Sequence, residues 1–247
     1  NRSRESGGNI KLGSAEFSFS AGVSQAYNDN IGLSPSKHQD DFITSPHFGV
    51  AADWPISELN SLNANFEIGY NKYWKNPNLD TTSLLISPTS ELEFNFYIKD
   101  IHFKAHEGLS IQQDPVTLSQ LSNLSTFRRL TNTAGLDAEW DLNKIKLNGG
   151  YDHYTFNSLE DRFKFLDQAT DSIKGGLGFQ IAPPYLVGVQ GSCSRTEYDQ
   201  KFQNNSTAYT IGGFGNAKFS EHLEGQVTVG YQTSSFDRDG SVGDNTD

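Results

Sequence analysis

The chain has 247 residues, 19 Lys and Arg against 30 Asp and Glu, and a net charge of −11, an acidic balance that repels polyanions and excludes nucleic acid as a partner. Hydrophobic residues reach only 35%, low for a packed soluble core, yet aromatics at 12% and frequent β-branched residues exclude a disordered chain. The lone cysteine, Cys193, excludes a disulfide framework, a Cys-based zinc site and an iron–sulfur cluster.

Residues 1–13 read as a periplasmic lead-in. The first residue is Asn1 and no charged-then-apolar leader follows it, which fits an exported chain whose signal peptide is already removed. From residue 14 to residue 247 one period organises the sequence, and it is two. Side chains on a strand point to opposite faces in turn, so alternation marks a strand with one apolar face. Phe17, Phe19, Ala21, Val23 and Tyr27 mark the first strand, and Phe48, Val50, Ala52 and Trp54 the second. The third is the clearest, with Leu62, Ala64, Phe66, Ile68 and Tyr70 set against Asn63, Asn65, Glu67, Gly69 and Asn71. Leu92, Phe94, Phe96 and Ile98 follow, then Ile101, Phe103 and Ala105, then Leu136, Ala138, Trp140 and Leu142. Ile145, Leu147, Gly149 and Tyr151 make the seventh, and Ile173, Leu177, Phe179 and Ile181 the eighth. Tyr185, Val187, Val189 and Cys193, then Tyr209, Ile211, Ala217 and Phe219, then Leu223, Val227, Val229 and Tyr231 bring the count to eleven. Two places break the pattern. Glu107 falls on the apolar parity beside Gly108, which reads either as a bulge or as a charge at the outer interface, and apolar parity changes from Tyr151 to Tyr154 and Phe156.

Connections alternate between short and long. Short ones fall near Pro55–Asn60, Lys99–Asp100, Leu142–Lys144, Ala182–Pro184 and Ser220–His222; long polar ones cover Asn28–Asp41, Lys75–Thr82, Gln113–Thr126, Asn157–Gln168, Asp199–Ser206 and Phe236–Asp247. No run of about 18 apolar residues exists, so no transmembrane helix is expected; even the uncharged stretch Gly175–Ser194 is broken by Pro183, Pro184 and glycines. The fold class expected is all-β: an up-and-down antiparallel transmembrane β-barrel with tight periplasmic turns and long extracellular loops. Strands of about 10 to 14 residues exceed the usual 5 to 6 and suit a tilted crossing of an apolar band about 25 Å tall. Aromatic girdles are expected at Phe17, Trp54, Trp140, Tyr185 and Phe219 near the short turns, and at Tyr27, Tyr70, Trp74, Tyr198 and Phe236 near the long loops. A soluble β-sandwich is the competing architecture, but the opposite face carries charges of both signs that a dry core could not hold.

That face is the expected lumen lining: Asn63, Glu67, Glu91, Glu93, Lys104, Asp137, Glu139, Lys146, Lys174, Lys218 and Glu224. Acids outnumber lysines there, which predicts a mild preference for cations or neutral sugars. Arg128 and Arg129 stand at the rim, where they would meet acidic loops, lipid phosphates or an anionic solute. No cofactor, metal or catalytic set is expected. His102 and His106 lie about 13 Å apart on a strand, too far to chelate one ion, and His38, His47, His153 and His222 are scattered. Glu91 and Glu93 stand about 7 Å apart, within reach of paired-acid chemistry, but such pairs arise by chance in a charged wall. The tail Asp237–Asp247 is as acidic as a calcium loop yet lacks its spacing and closing glutamate. No Gly-x-Ser-x-Gly elbow and no phosphate-binding loop occurs.

The segments Gly22–Asn30, Leu33-Ser34-Pro35 and Asp40–Pro46 resemble the opening hairpin of the putative β-barrel porin 2 family of Gram-negative outer membranes, and Ile173–Phe179 and Leu223–Tyr231 resemble its later hairpins. The resemblance implies an outer-membrane location, a porin or channel for small polar solutes or saccharides, and a loose association with polysaccharide export. It implies no catalytic residue. Its partners would be the bilayer and its lipopolysaccharide, and other outer-membrane or periplasmic chains. An odd strand count leaves two edges that lipid forbids, and the resembled family is longer, so closure needs 12 or more strands or another chain. The alternative function is a non-conducting scaffold whose extracellular loops bind a partner protein or polysaccharide.

Overall fold

Period-two alternation is realised along nearly the whole chain as strand. The computed structural model describes residues 10–31, 38–81, 83–114, 127–201, 203–218 and 223–237. Its elements are β1 (Ile10–Leu12), β2 (Ala15–Asn28), β3 (Asp41–Pro55), β4 (Ser61–Gly69), β5 (Lys72–Tyr73), β6 (Leu85–Ile86), β7 (Glu91–Ile98), β8 (Ile101–Asp114), β9 (Phe127–Leu142), β10 (Ile145–Ser158), β11 (Gln168–Ala182), β12 (Tyr185–Tyr198), β13 (Ser206–Lys218) and β14 (Glu224–Phe236). They form one 14-stranded sheet in the order β1-β2-β3-β4-β6-β8-β9-β10-β11-β12-β13-β14, with β5 on β3 and β7 between β4 and β8. The eleven long strands are those that the alternation marks, and β1, β5 and β6 are additional. No helix among the described residues is long and apolar enough to cross a membrane.

Two units divide the chain. The first comprises Asn1–Asn95, His106–Thr133 and Phe156–Lys164. Within it β1 pairs with β2 from Ile10↔Phe17 to Leu12↔Ala15, through a turn at Gly13 with φ 64°, so the sheet reaches into the segment read as lead-in. β2 pairs with β3 from Glu16↔Asp53 to Asn28↔Asp41, and β3 with β4 from His47↔Gly69 to Pro55↔Ser61. Beyond His47 the short β5 takes over, with Ile43↔Tyr73 and Thr44↔Lys72. β4 likewise changes partner, from β7 (Ser61↔Asn95 to Asn65↔Glu91) to β6 (Ile68↔Ile86). The excursion at Ser87–Ser90 makes the switch: Ser87 N donates to Glu67 O at 2.9 Å and Glu67 N donates to Ser90 Oγ at 3.1 Å. The Gly108 bulge does not form. β8 runs unbroken through it, and Glu107 keeps the apolar parity and accepts from Asn132 Nδ2 at 2.7 Å.

The second unit comprises Phe96–Ala105, Ala134–Thr155 and Phe165–Asp247. β11 to β14 form a regular meander, paired from Gln168↔Tyr198, from Thr196↔Ser206 and from Ser206↔Phe236 down to the short turns, with one irregularity between Gln180 and Ala182. The tight turns carry left-handed residues, Lys99 (φ 57°) and Asn143 (φ 67°), as two-residue hairpin connections require.

The apolar parity is not covered. In the second unit Leu177, Val189, Gly213 and Val229 stand in one row across four strands, and Val229 is 73% exposed. Val23 in the first unit is 70% exposed, beside exposed Phe19, Phe48 and Phe66. A sandwich would bury these rows. Buried apolar side chains among the described residues are few, and they sit at strand ends and in connections: Phe127, Phe156, Phe163 and Tyr73 are examples.

Candidate functional site on the polar face

Alternation that sends valines and phenylalanines to one side gathers the charges on the other. In the first unit Asn63 lies between Asp53 and Glu93 on the flanking strands, Glu67 opposite Gly49, and Glu91 opposite Asn65. Glu93 accepts from Asn95 Nδ2 at 2.6 Å, so the two glutamates face amides rather than each other. Gly22 leaves room for the ring of its cross-strand neighbour His47.

In the second unit the charges form a chain across strands. Asp137 of β9 lies 3.7 Å from Lys104 Nζ of β8 and 2.8 Å from Lys174 Nζ of β11, and Lys174 also meets Asp152 of β10 at 3.2 Å. A side chain at Gly150 would collide with Asp137 and Lys174, so that glycine provides the space the ion pair fills. Nearer the short turns, Lys146 pairs with Asp141 at 2.8 Å and Lys218 with Glu224 at 3.3 Å. Glu139 is exposed on the same parity as Asp137 and Asp141. All the residues expected to line a lumen thus lie on the polar face of their unit. Because most are at least partly open to solvent, these pairs orient one another more than they stabilise the fold.

The rim arginines separate. Arg129 is on the polar face, donating to Gln112 Oε1 at 2.6 Å with its guanidinium 5.9 Å from the Phe127 ring. Arg128 takes the opposite parity, as adjacent strand residues must, and its guanidinium bonds Ser83 Oγ. They do not form one cationic site. Among the girdle residues Trp54, Trp74, Trp140 and Tyr185 are exposed, whereas Phe17 and Tyr70 are half-buried. Phe219 lies outside the described residues, as do 115–126 of the long connection after β8, His222, and the acidic tail from 238 onward. His102 stacks on Tyr97 with ring centroids 4.8 Å apart, and His153 Nδ1 lies 2.8 Å from Asp171. No group of three or more His, Cys, Asp or Glu among the described residues is placed to hold a metal.

Three features escaped the sequence reading. At the outer ends of β9 and β10 the polar-face parity turns apolar, because the connection after β10 folds back on it: Phe163 stands 5.1 Å from Phe127, which stands 6.1 Å from Phe156. The apolar parity of β10 therefore changes as its sequence predicts, with Phe156 on the polar face, while Tyr151 and His153 both reach Asp171 on the other face. Second, Asp41 is fully buried and ties the connection after β5. Its Oδ1 accepts from the N–H groups of Trp74 and Lys75 at 2.9 Å each, and its Oδ2 from the N–H and Nδ2 of Asn76 at 2.8 Å each. Third, Phe214 interrupts the polar face within Gly212-Gly213-Phe214-Gly215, an apolar residue out of phase that the flanking glycines concealed.

Outside the strands, Asp40 is hydrogen-bonded by Lys75 Nζ and by Tyr27 Oη, and these bonds, the Lys75 one foremost, hold its carboxyl below the ordinary aspartate value. A lowered folded-state pKa gives stabilisation that is complete above the unfolded value and is lost as pH falls through the folded one. A carbon-13 titration of the Asp40 carboxyl in micelles is expected to give a midpoint below the ordinary aspartate value, and Lys75→Gln to raise it; a midpoint that Lys75→Gln leaves unchanged would refute the pairing.

Comparison with known proteins agrees with this geometry. An outer membrane channel from Pseudomonas putida F1 superposes with a TM-score of 0.51 at 11% identity, covering 92% of this chain and 94% of that one. OmpT, an outer membrane protein of Vibrio cholerae, matches with a TM-score of 0.48 at 10% identity over 92% and 90% of the two chains. No curated protein matches the sequence. A single antiparallel sheet with an uncovered apolar face and a charged opposite face defines a bacterial outer-membrane β-barrel protein of porin type, in contact with the lipid bilayer. The chain belongs to the putative beta-barrel porin 2 family, whose model matches residues 9–241.

Proposed function

We propose that the protein is a passive conduit for small polar solutes or saccharides, with the polar face as the wall of a water-filled lumen. The observation that carries this reading is the division of faces: Leu177, Val189 and Val229 exposed on one, Lys104, Asp137, Lys174 and Asp152 linked across four strands on the other. Charges in such numbers need water or each other, and water beside them makes a conduction path. Acids outnumber lysines along the wall, so current is carried mainly by cations. Lipopolysaccharide and neighbouring outer-membrane chains would be the contacts of the outer surface.

Planar-bilayer recording on the purified protein is expected to show stable ohmic steps with a cation-positive reversal potential in a salt gradient. Asp137→Asn, which leaves Lys104 and Lys174 facing an amide, shifts that potential toward anions, and Lys174→Gln shifts it the other way. Anion selectivity in the parent chain would overturn the charge reading. The packing of Phe163 on Phe127 favours a second reading, a scaffold whose lumen is occluded by its own connection. Stable insertion without current would establish it.

A further inference from the structure

Phe214 carries this inference, which rests on the reading of the polar face as a solvated wall. Besides Tyr198 and Phe236, the last residues of their strands, Phe214 and Leu186 are the large apolar side chains on the polar parity of β11 to β14. The ring does not stand off the sheet. A Cβ built at Gly188 on β12 would come within 2.5 Å of Phe214 Cζ, and one built at Gly178 on β11 within 3.6 Å of the same atom. Rooted on β13, the ring therefore reaches across β12 toward β11 and lies along the wall on a floor of two glycines. Leu186 extends the floor, with its Cδ1 3.1 Å from the Gly178 position. The ring borders a recess of about 340 Å³, at the small end of ligand-site volumes.

Amides surround the ring. Asn148, Gln190, Asn216 and Gln226 all border the recess, and the Oδ1 of Asn216 is buried without a hydrogen-bond partner in the protein. Each primary amide offers a donor and an acceptor together, the pair that a hydroxyl group answers. Of the charged residues that border the recess, Lys146 pairs with Asp141 at 2.8 Å and Glu139 adds a negative charge, so the recess does not favour an anionic solute. A wholly apolar solute would strip water from the amides without replacing its hydrogen bonds.

We infer that this recess is a binding subsite for one ring of a neutral saccharide, whose C–H face rests on Phe214 and whose hydroxyls are taken by the surrounding amides. The subsite lies on the wall of the proposed conduit and would slow a sugar there during passage.

Two readouts separate the subsite from the pore. Titration calorimetry of the detergent-solubilised full chain is made with maltotetraose, a β-linked galactose tetramer and a mannose tetramer in turn, and with a polyethylene glycol of equal size as control. The same solutes are applied in the planar bilayer as blockers of ion current. At least one tetrasaccharide is expected to bind and to interrupt current, while the glycol does neither. Phe214→Ala raises the half-saturating concentration at least tenfold, Phe214→Tyr restores it to within about threefold, and both keep the parent's unfolding midpoint. Asn216→Leu weakens binding severalfold. Failure of all three sugars to bind overturns the subsite, as does equal binding by Phe214→Ala or by the glycol. Calorimetric binding lost in Phe214→Ala, without any current in the parent chain, upholds the subsite and overturns the pore.

Discussion

Val189→Arg is expected to lower the unfolding free energy by about 2–4 kcal/mol, the cost of an arginine facing lipid near the middle of a barrel strand, and Gln190→Arg one residue away to change it by less than about 1 kcal/mol. Val189 lies midway along the apolar run from Tyr185 to Cys193 on β12, 56% exposed, opposite Leu177 and Gly213. Gln190 points to the other face, opposite Gly176 and Gly212, where another cation joins a wall that is already charged. Guanidinium unfolding in lipid vesicles measures both. The pair is diagnostic because the two substitutions share strand, depth and chemistry and differ only in face. If Gln190→Arg proved the costlier, the polar face would be a dry interior and the assignment of the two faces would be reversed.

Asp41→Asn is expected to cost about 3 kcal/mol, because an amide cannot replace a carboxylate with four donors aimed at it. Whichever way the amide turns, its NH2 faces two of those donors and leaves them unsatisfied, at about 1–3 kcal/mol each before relaxation. The donors come from Trp74, Lys75 and Asn76, in a connection held again by Asp80, which accepts from Tyr73 N at 2.7 Å. Loss should therefore be local first. Limited proteolysis should cut the variant between residues 74 and 81 well before the strands open, and the denaturation midpoint should fall with it. A change under about 0.5 kcal/mol, or a cleavage pattern like the parent's, would show that the carboxylate is dispensable.

Strands were legible where a single rule governed them. Leu62 to Tyr70 alternates without fault, and β4 pairs as that pattern requires, because burial against lipid and exposure to water impose period two on every position between. The polar-face residues were legible for the same reason: once Asp137 is placed on a strand, parity alone brings it to the side of Lys104 and Lys174. What failed to show was whatever depends on a neighbour distant in sequence. Nothing local marks Asp41 as buried rather than as one more acid in a polar loop, since its partners lie 33 to 35 residues on. The change of parity at Tyr154 and Phe156 is legible but its cause is not, because the residue that covers Phe127, Phe163, comes from a segment that reads as polar connection. Adjacency makes Arg128 and Arg129 look like a pair, although alternation already separates them. The β6 to β7 break at Ser87–Ser90 has no period at all; it exists because Glu67 on the neighbouring strand supplies its hydrogen bonds.

The one-sided dispersal of apolar residues also bears on how such a chain reaches its membrane. A helix destined for a bilayer concentrates about 20 apolar residues in a row, and that row is what a translocation channel releases sideways into the first membrane it meets. Here every second residue is polar, and mean hydropathy over the whole chain is −0.57. Within these 247 residues no window is apolar enough to stop in a bilayer as a helix. Its affinity for lipid does not exist until the backbone extends and the two sets of side chains part. The same pattern leaves the chain without a folded form in water, since Val23 and Val229 then have no cover.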